Sequence, residues 1–155
     1  MYNVLKALHV LSVVLFLGNI ITGVFWKVHA DVGGELRGRA QALDGIIRSD
    51  RFFTMPGVFL IIGTGVWMAI QSHMPLLGTP WILWSLVLFG ISGALFGARV
   101  APLQKKLLAN VRAGLSGQWN EAEYHALSRA WQLWGIFATL TPLIALFLMV
   151  LKPGQ

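Results

Sequence analysis

Residues 5–26 read LKALHVLSVVLFLGNIITGVFW, and this stretch decides the fold. From residue 7 to residue 26 it runs 20 positions without Asp, Glu, Lys or Arg, about the length a helix needs to cross a bilayer core. Within it His9, Ser12, Asn19 and Gly23 recur at spacings near three, four and seven, with Phe16 among them. A helix gathers such positions on one face, and the opposite positions are Leu, Val and Ile. In lipid, a face bearing imidazole, hydroxyl and amide must turn inward, toward other helices or a bound group.

The rest of the chain supplies partners for that face. Of its 155 residues, 56% are hydrophobic and 12% charged, with a mean hydropathy of +0.68, which describes a polytopic membrane protein of one domain. Charge-free runs recur at residues 52–70, 80–98 and 130–151. The expected architecture is therefore an all-α, polytopic membrane four-helix bundle, a single domain over residues 1–155, with spans at about 4–26, 52–71, 80–99 and 130–151. Val28-His29-Ala30 resembles a signal-peptide cleavage site, but the apolar run before it is too long and lacks a basic leader, so it reads as a helix.

The net charge of +6 is explained by topology rather than by nucleic acid. Lys27, Arg37, Arg39, Arg48 and Arg51 lie between the first two spans, and Arg99, Lys105, Lys106, Arg112 and Arg129 between the last two. The segment between residues 71 and 79 has no Lys or Arg. The positive-inside rule then puts both long loops in the cytoplasm and both termini outside, in a bacterial inner membrane. Those loops are expected to hold short amphipathic helices. Residues 33–48 alternate Arg with Ala, Leu and Ile, and Leu103, Leu107, Leu108, Val111 and Leu115 form an apolar stripe beside Lys105, Lys106 and Arg112, suited to a membrane interface.

Local signals mark the ends. Pro102 is expected to kink or end the third span, and Lys152-Pro153-Gly154 to stop the fourth. Asn120 with Glu121 and Glu123 reads as the start of a last helix that begins in water and runs into the membrane. Gly63-Thr64-Gly65, the Gly90, Gly93 and Gly97 series, and Gly135 with Thr139 and Pro142 suit close helix packing, within the bundle or at a homodimer seam.

Chemistry rests on the histidines, because the chain has no cysteine and its charge-free spans have no carboxylate for a proton relay. No nucleophile elbow or phosphate loop is present. His9 and His73 fall toward the outer face, His29 and His125 toward the cytoplasmic one. A buried imidazole ligates haem iron or a transition metal through one nitrogen while the other is hydrogen-bonded. His9 is placed for that role, with His73 or a fourth-helix group as second ligand and Phe16, Trp67, Trp81, Trp84 and Trp134 as walls. The plainer alternative sets His9 at headgroup level and the tryptophans in interfacial belts. Lys6 either snorkels to the surface or meets a haem propionate. Met68, Met74 and Met149 with the two outer histidines offer a copper-handling alternative, and a cofactor-free membrane subunit is the third.

Leu5-Lys6-Ala7-Leu8-His9-Val10, then Met55-Pro56-Gly57 and the closing Val150-Leu151-Lys152-Pro153, resemble a family of small bacterial integral membrane proteins of unknown function. That family is similar in turn to HemJ-type protoporphyrinogen oxidases and to the membrane domain of the copper-resistance D proteins. HemJ-type proteins hold b-type haem through a first-helix histidine, and the resemblance implies that role for His9. From the residues themselves Lys6, His9, Asn19 and His73 are expected at the cofactor, with His9 and His73 as metal ligands and a quinone or other membrane electron carrier as partner. The essential third-helix lysine of those oxidases has no counterpart in residues 81–86, WILWSL. The resemblance thus carries a cofactor for electron transfer or porphyrin and haem metabolism, and leaves the oxidase reaction unsupported.

Overall fold

A computed structural model describes residues 1–153; Gly154, the last residue of the expected stop, lies outside them. The four apolar runs form helices long enough to cross a membrane, and each extends well past its charge-free stretch. Helix α1 is Tyr2–Gly33 and ends at Gly34, whose φ of 74° closes the last turn through an N–H bond to Asp31 O. Helices α2 (Leu36–Ser49) and α3 (Met55–Gln71) are one rod joined by a π turn at Asp50–Thr54. Helices α4 (Pro80–Leu95) and α5 (Ala101–Leu115) are another, joined by a π turn at Phe96–Val100. Helix α6 is Glu121–Leu151, and Asn120 caps it by accepting the Glu123 N–H at 3.0 Å. The expected loop helices are therefore continuations of the spans, and the last helix does begin among charged residues.

Two prolines account for both π turns. Pro56 and Pro102 lack the N–H that would bond the carbonyls of Phe52 and Ala98 four residues back, and their rings press against those carbonyls. Each carbonyl lies inside a π turn, where the wider i→i−5 pattern, seen as Met55 N–H to Asp50 O and Ala101 N–H to Phe96 O, makes room. Pro102 accordingly does not end the third span; the helix widens one turn earlier and runs on to Leu115.

The chain is two antiparallel hairpins, α1 with α3 and α4 with α6, whose charged ends are tied together by α2 packing on α5. Within the apolar half each hairpin packs mainly on itself, and the two meet at the rings of Phe16 and Phe89, 5.4 Å apart. Leu107, Leu108 and Val111 are buried with Leu43 and Tyr124 in a core at the charged end, so the α5 stripe faces neighbouring helices rather than a membrane surface. Large apolar side chains such as Leu15, Ile21, Phe59, Ile144 and Phe147 are exposed around the apolar half, where they contact lipid.

Small residues make the α4–α6 seam. Pro142 leaves the Ala138 carbonyl without its helical donor, and Ser92 Oγ donates to that carbonyl across the seam at 2.6 Å. Membrane interiors offer no water to fill this need. Ser92→Ala is therefore expected to destabilise the protein by about 1 kcal/mol. Thermal unfolding in detergent checks this, with Ser116→Ala, whose hydroxyl bonds Ala113 O at an exposed site, as the unaffected control.

Candidate functional site

Among the described residues, three polar clusters stand along α1. Nearest the chain ends, His9 is buried against α3, with Nδ1 at 3.0 Å from Thr64 Oγ1. The Thr64 hydroxyl donates to Leu60 O one turn back, so it accepts from His9, and Nδ1 carries the ring proton. Nε2 then keeps its lone pair. The Nδ1–Cε1 edge lies over Gly65, where an added Cβ would fall 3.2 Å from Cε1 and 3.6 Å from Nδ1. The donor chemistry of this imidazole fits an axial ligand, since one nitrogen is oriented by a hydroxyl and the other is available.

The other expected participants are spread out. Lys6 is exposed. His73 is exposed in the turn after α3 with φ 52°. That helix continues roughly 9 Å beyond Gly65 before it ends, at 1.5 Å per residue, so the structure separates His73 from His9. Met68, Met74 and Met149 are half-buried, Trp67 and Trp84 are exposed, and Phe16 is buried. His29 is exposed and stacks on Phe25, while His125 is exposed and pairs with Glu121 at 3.6 Å. Among the described residues no group of three or more His, Asp or Glu side chains converges.

Asn19 belongs to a second cluster that sequence reasoning missed. At the first π turn Asp50 is buried, and its Oδ1 accepts from Asn19 Nδ2 at 3.1 Å and Thr54 Oγ1 at 2.8 Å. Its Oδ2 accepts from Gln104 Nε2 at 3.0 Å, and Asn19 also donates to Thr54 Oγ1 at 2.9 Å. The cluster faces a cavity of about 130 Å³ between the hairpins, lined by residues of every helix, among them Phe16, Phe89, Phe96 and Trp131. A wider groove of about 740 Å³ between α1 and α2 runs from Asn19 toward Glu35. Asn19, Gly23 and Ile46 form the wall common to both. The available signal was Asn19 itself, an amide in a membrane helix that needs a polar partner.

The third cluster fills the charged end. Lys27 is 1% exposed and donates to Asp31 Oδ2 and Ser128 Oγ, each at 2.5 Å, with the rings of Tyr124 and Trp131 over its ammonium at 5.3 and 5.5 Å. Asp31 Oδ1 accepts from the Tyr124 hydroxyl at 2.5 Å, and Arg39 Nε stands 3.8 Å from the same oxygen. Burial first, and the Asp31 carboxylate second, push the Tyr124 hydroxyl above its ordinary value, so it stays a donor.

Four membrane-crossing helices with polar clusters enclosed among them define an integral membrane protein in contact with lipid. Residues 3–153 match the family described as "Predicted integral membrane protein (DUF2269)", and the chain belongs to that family. No curated protein and no solved structure matches it.

Proposed function

We propose that the protein is a haem-ligating protein of the bacterial inner membrane, with its charged end in the cytoplasm and His9 Nε2 supplying one axial ligand to b-type haem. The observation that supports this reading is the His9 ring: buried against α3 and set in one tautomer by Thr64, so that Nε2 keeps the lone pair a metal needs. Haem bound there supplies one-electron chemistry, suited to electron transfer or porphyrin metabolism with a lipid-soluble carrier as partner. Thr64 orients the ring, and Gly65 leaves it room.

The test is a visible spectrum of the full chain purified in detergent, with iron and copper measured on the same sample. The expected result is a Soret band with stoichiometric iron, abolished in His9→Gln while the thermal melt is kept. Thr64→Val retains the band with a shifted reduction potential, because the ring loses its orienting hydroxyl. The band is expected to survive His73→Ala, because that residue lies past the end of α3 and about 9 Å or more beyond the Gly65 that packs on His9. Copper without a Soret band replaces the reading with a copper-handling one, and neither metal leaves a cofactor-free membrane subunit.

A further inference from the structure

The cavity between the hairpins carries a second inference, which does not depend on what His9 binds. Among the described residues Asp50 is the one carboxylate in its wall, and its hydrogen bonds can be counted. A carboxylate offers about four acceptor positions. Asn19 and Thr54 fill both positions on Oδ1, and Gln104 fills one on Oδ2, so one position on Oδ2 stays open. Asn19 spends both its amide hydrogens and Thr54 its only one within the cluster. Those two neighbours therefore have no further proton to give, and the second amide hydrogen of Gln104 cannot share the oxygen its first one already bonds, so the open position on Oδ2 is left for a donor in the cavity.

The opposite need stands in the same wall. Trp131 is 4% exposed, lines the cavity, and its indole Nε1–H has no acceptor. Leaving a buried donor unpaired costs about 1–3 kcal/mol. Between the two polar groups the walls are apolar and aromatic, formed by Phe16, Val58, Phe89 and Phe96. The volume of about 130 Å³ is close to that of cavities of roughly 150 Å³ that accept a benzene ring. The cavity thus asks for one flat ring carrying a hydroxyl donor for Asp50 and an oxygen acceptor for Trp131, and it sits where the apolar half of the bundle meets the charged end.

We propose that this cavity is a binding site for the hydroxylated ring of a lipid-soluble quinol, with Asp50 Oδ2 accepting a ring hydroxyl and Trp131 Nε1 donating to a ring oxygen. The reduced form is the preferred one, because a quinone has only acceptor oxygens and brings no proton to the carboxylate. Asn19, Thr54 and Gln104 act as positioning residues that hold the carboxylate with its open lone pair toward the ring.

The full chain in detergent is titrated calorimetrically with a short-tailed benzoquinol, the matching quinone and tailless hydroquinone, under anaerobic conditions. The tailed quinol is expected to bind more tightly than the quinone. Asp50→Asn, which keeps the size, weakens quinol binding about tenfold or more and erases the preference for the reduced form. Trp131→Phe, which keeps an aromatic wall, weakens both redox forms several-fold without altering that preference. The Trp131 variant serves as the second arm should Asp50→Asn lower the melting temperature. Equal affinity for the two redox forms in the wild-type chain, a preference that survives Asp50→Asn, or no binding of either form overturns the proposal. Equal affinity for tailless hydroquinone overturns the lipid-soluble source in favour of a soluble phenol. Quinol affinity is unchanged in His9→Gln, so this result and the haem spectrum fail or succeed separately.

Discussion

Asp31→Asn lowers the stability of the folded protein by about 3–5 kcal/mol, the cost of leaving a buried charge without its partner. The substitution preserves shape and removes one negative charge 2.5 Å from the Lys27 ammonium. Lys27 is 1% exposed, and it is left with the Ser128 hydroxyl and the faces of Tyr124 and Trp131, which cannot neutralise it. Lys27→Met is expected to cost far less, about 1 kcal/mol, because methionine fills the same slot. Asp31 then still accepts from Tyr124 and retains Arg39 at 3.8 Å. Adding Lys27→Met to Asp31→Asn recovers stability, the signature of direct coupling between the two sites. Thermal unfolding of the three variants in detergent orders them, and a Lys27→Met protein less stable than Asp31→Asn defeats the argument.

That cluster also shows where sequence reading reaches its limit. The stripe His9, Ser12, Phe16 was visible from helical spacing, and all three side chains are buried against α3 or α4 as that spacing requires. Carried on by the same period, the stripe arrives at Lys27, the next buried residue of α1. A basic residue just past a charge-free run is ordinarily a topology marker, and the positive-inside rule absorbed Lys27 along with the truly exposed arginines. Its burial depends on Ser128 and Tyr124, roughly a hundred residues away, and no local pattern encodes that meeting.

Asp50 was hidden in the same way, one residue before Arg51 at the edge of an apolar run. Only the register between α1 and the first π turn sets it opposite Asn19. The prolines were legible as points of helix disruption, but not as widened turns within a continuing rod. Whether a helix breaks or widens at a proline depends on the packing open to the segment beyond it, and both α3 and α5 have partners that reward continuation. The span count and the Asn120 cap were legible because each rests on composition or spacing within about one helix length. The glycines expected at helix contacts within the bundle were not: Gly63, Gly90, Gly93 and Gly97 are exposed with nothing within 4 Å of a Cβ, and the close approaches fall at Gly57 and Gly65.

The register of α1 on α3 can be tested at Gly57. A Cβ added there would fall 3.3 Å from Phe16 Cβ and 3.7 Å from the Ser12 carbonyl oxygen. Both are fixed points: one is the root of a buried ring, the other is backbone inside a helix. Neither can swing aside as a flexible side-chain tip could. Gly57→Leu must therefore push α1 from α3 along their length, and membrane helices rely on close approach at such positions because no hydrophobic drive holds them together in lipid. The expected cost is about 3 kcal/mol, at the upper end of overpacking effects. Gly63→Leu is the control, since nothing lies within 4 Å of a Cβ at that position and the new side chain enters lipid. Because Phe16 lines the cavity and its ring meets Phe89, Gly57→Leu should also weaken quinol binding, while Gly63→Leu leaves it unchanged. Equal melting temperatures for the two variants would mean that α1 and α3 do not pack in this register, and the placement of His9 against Thr64 would fall with it.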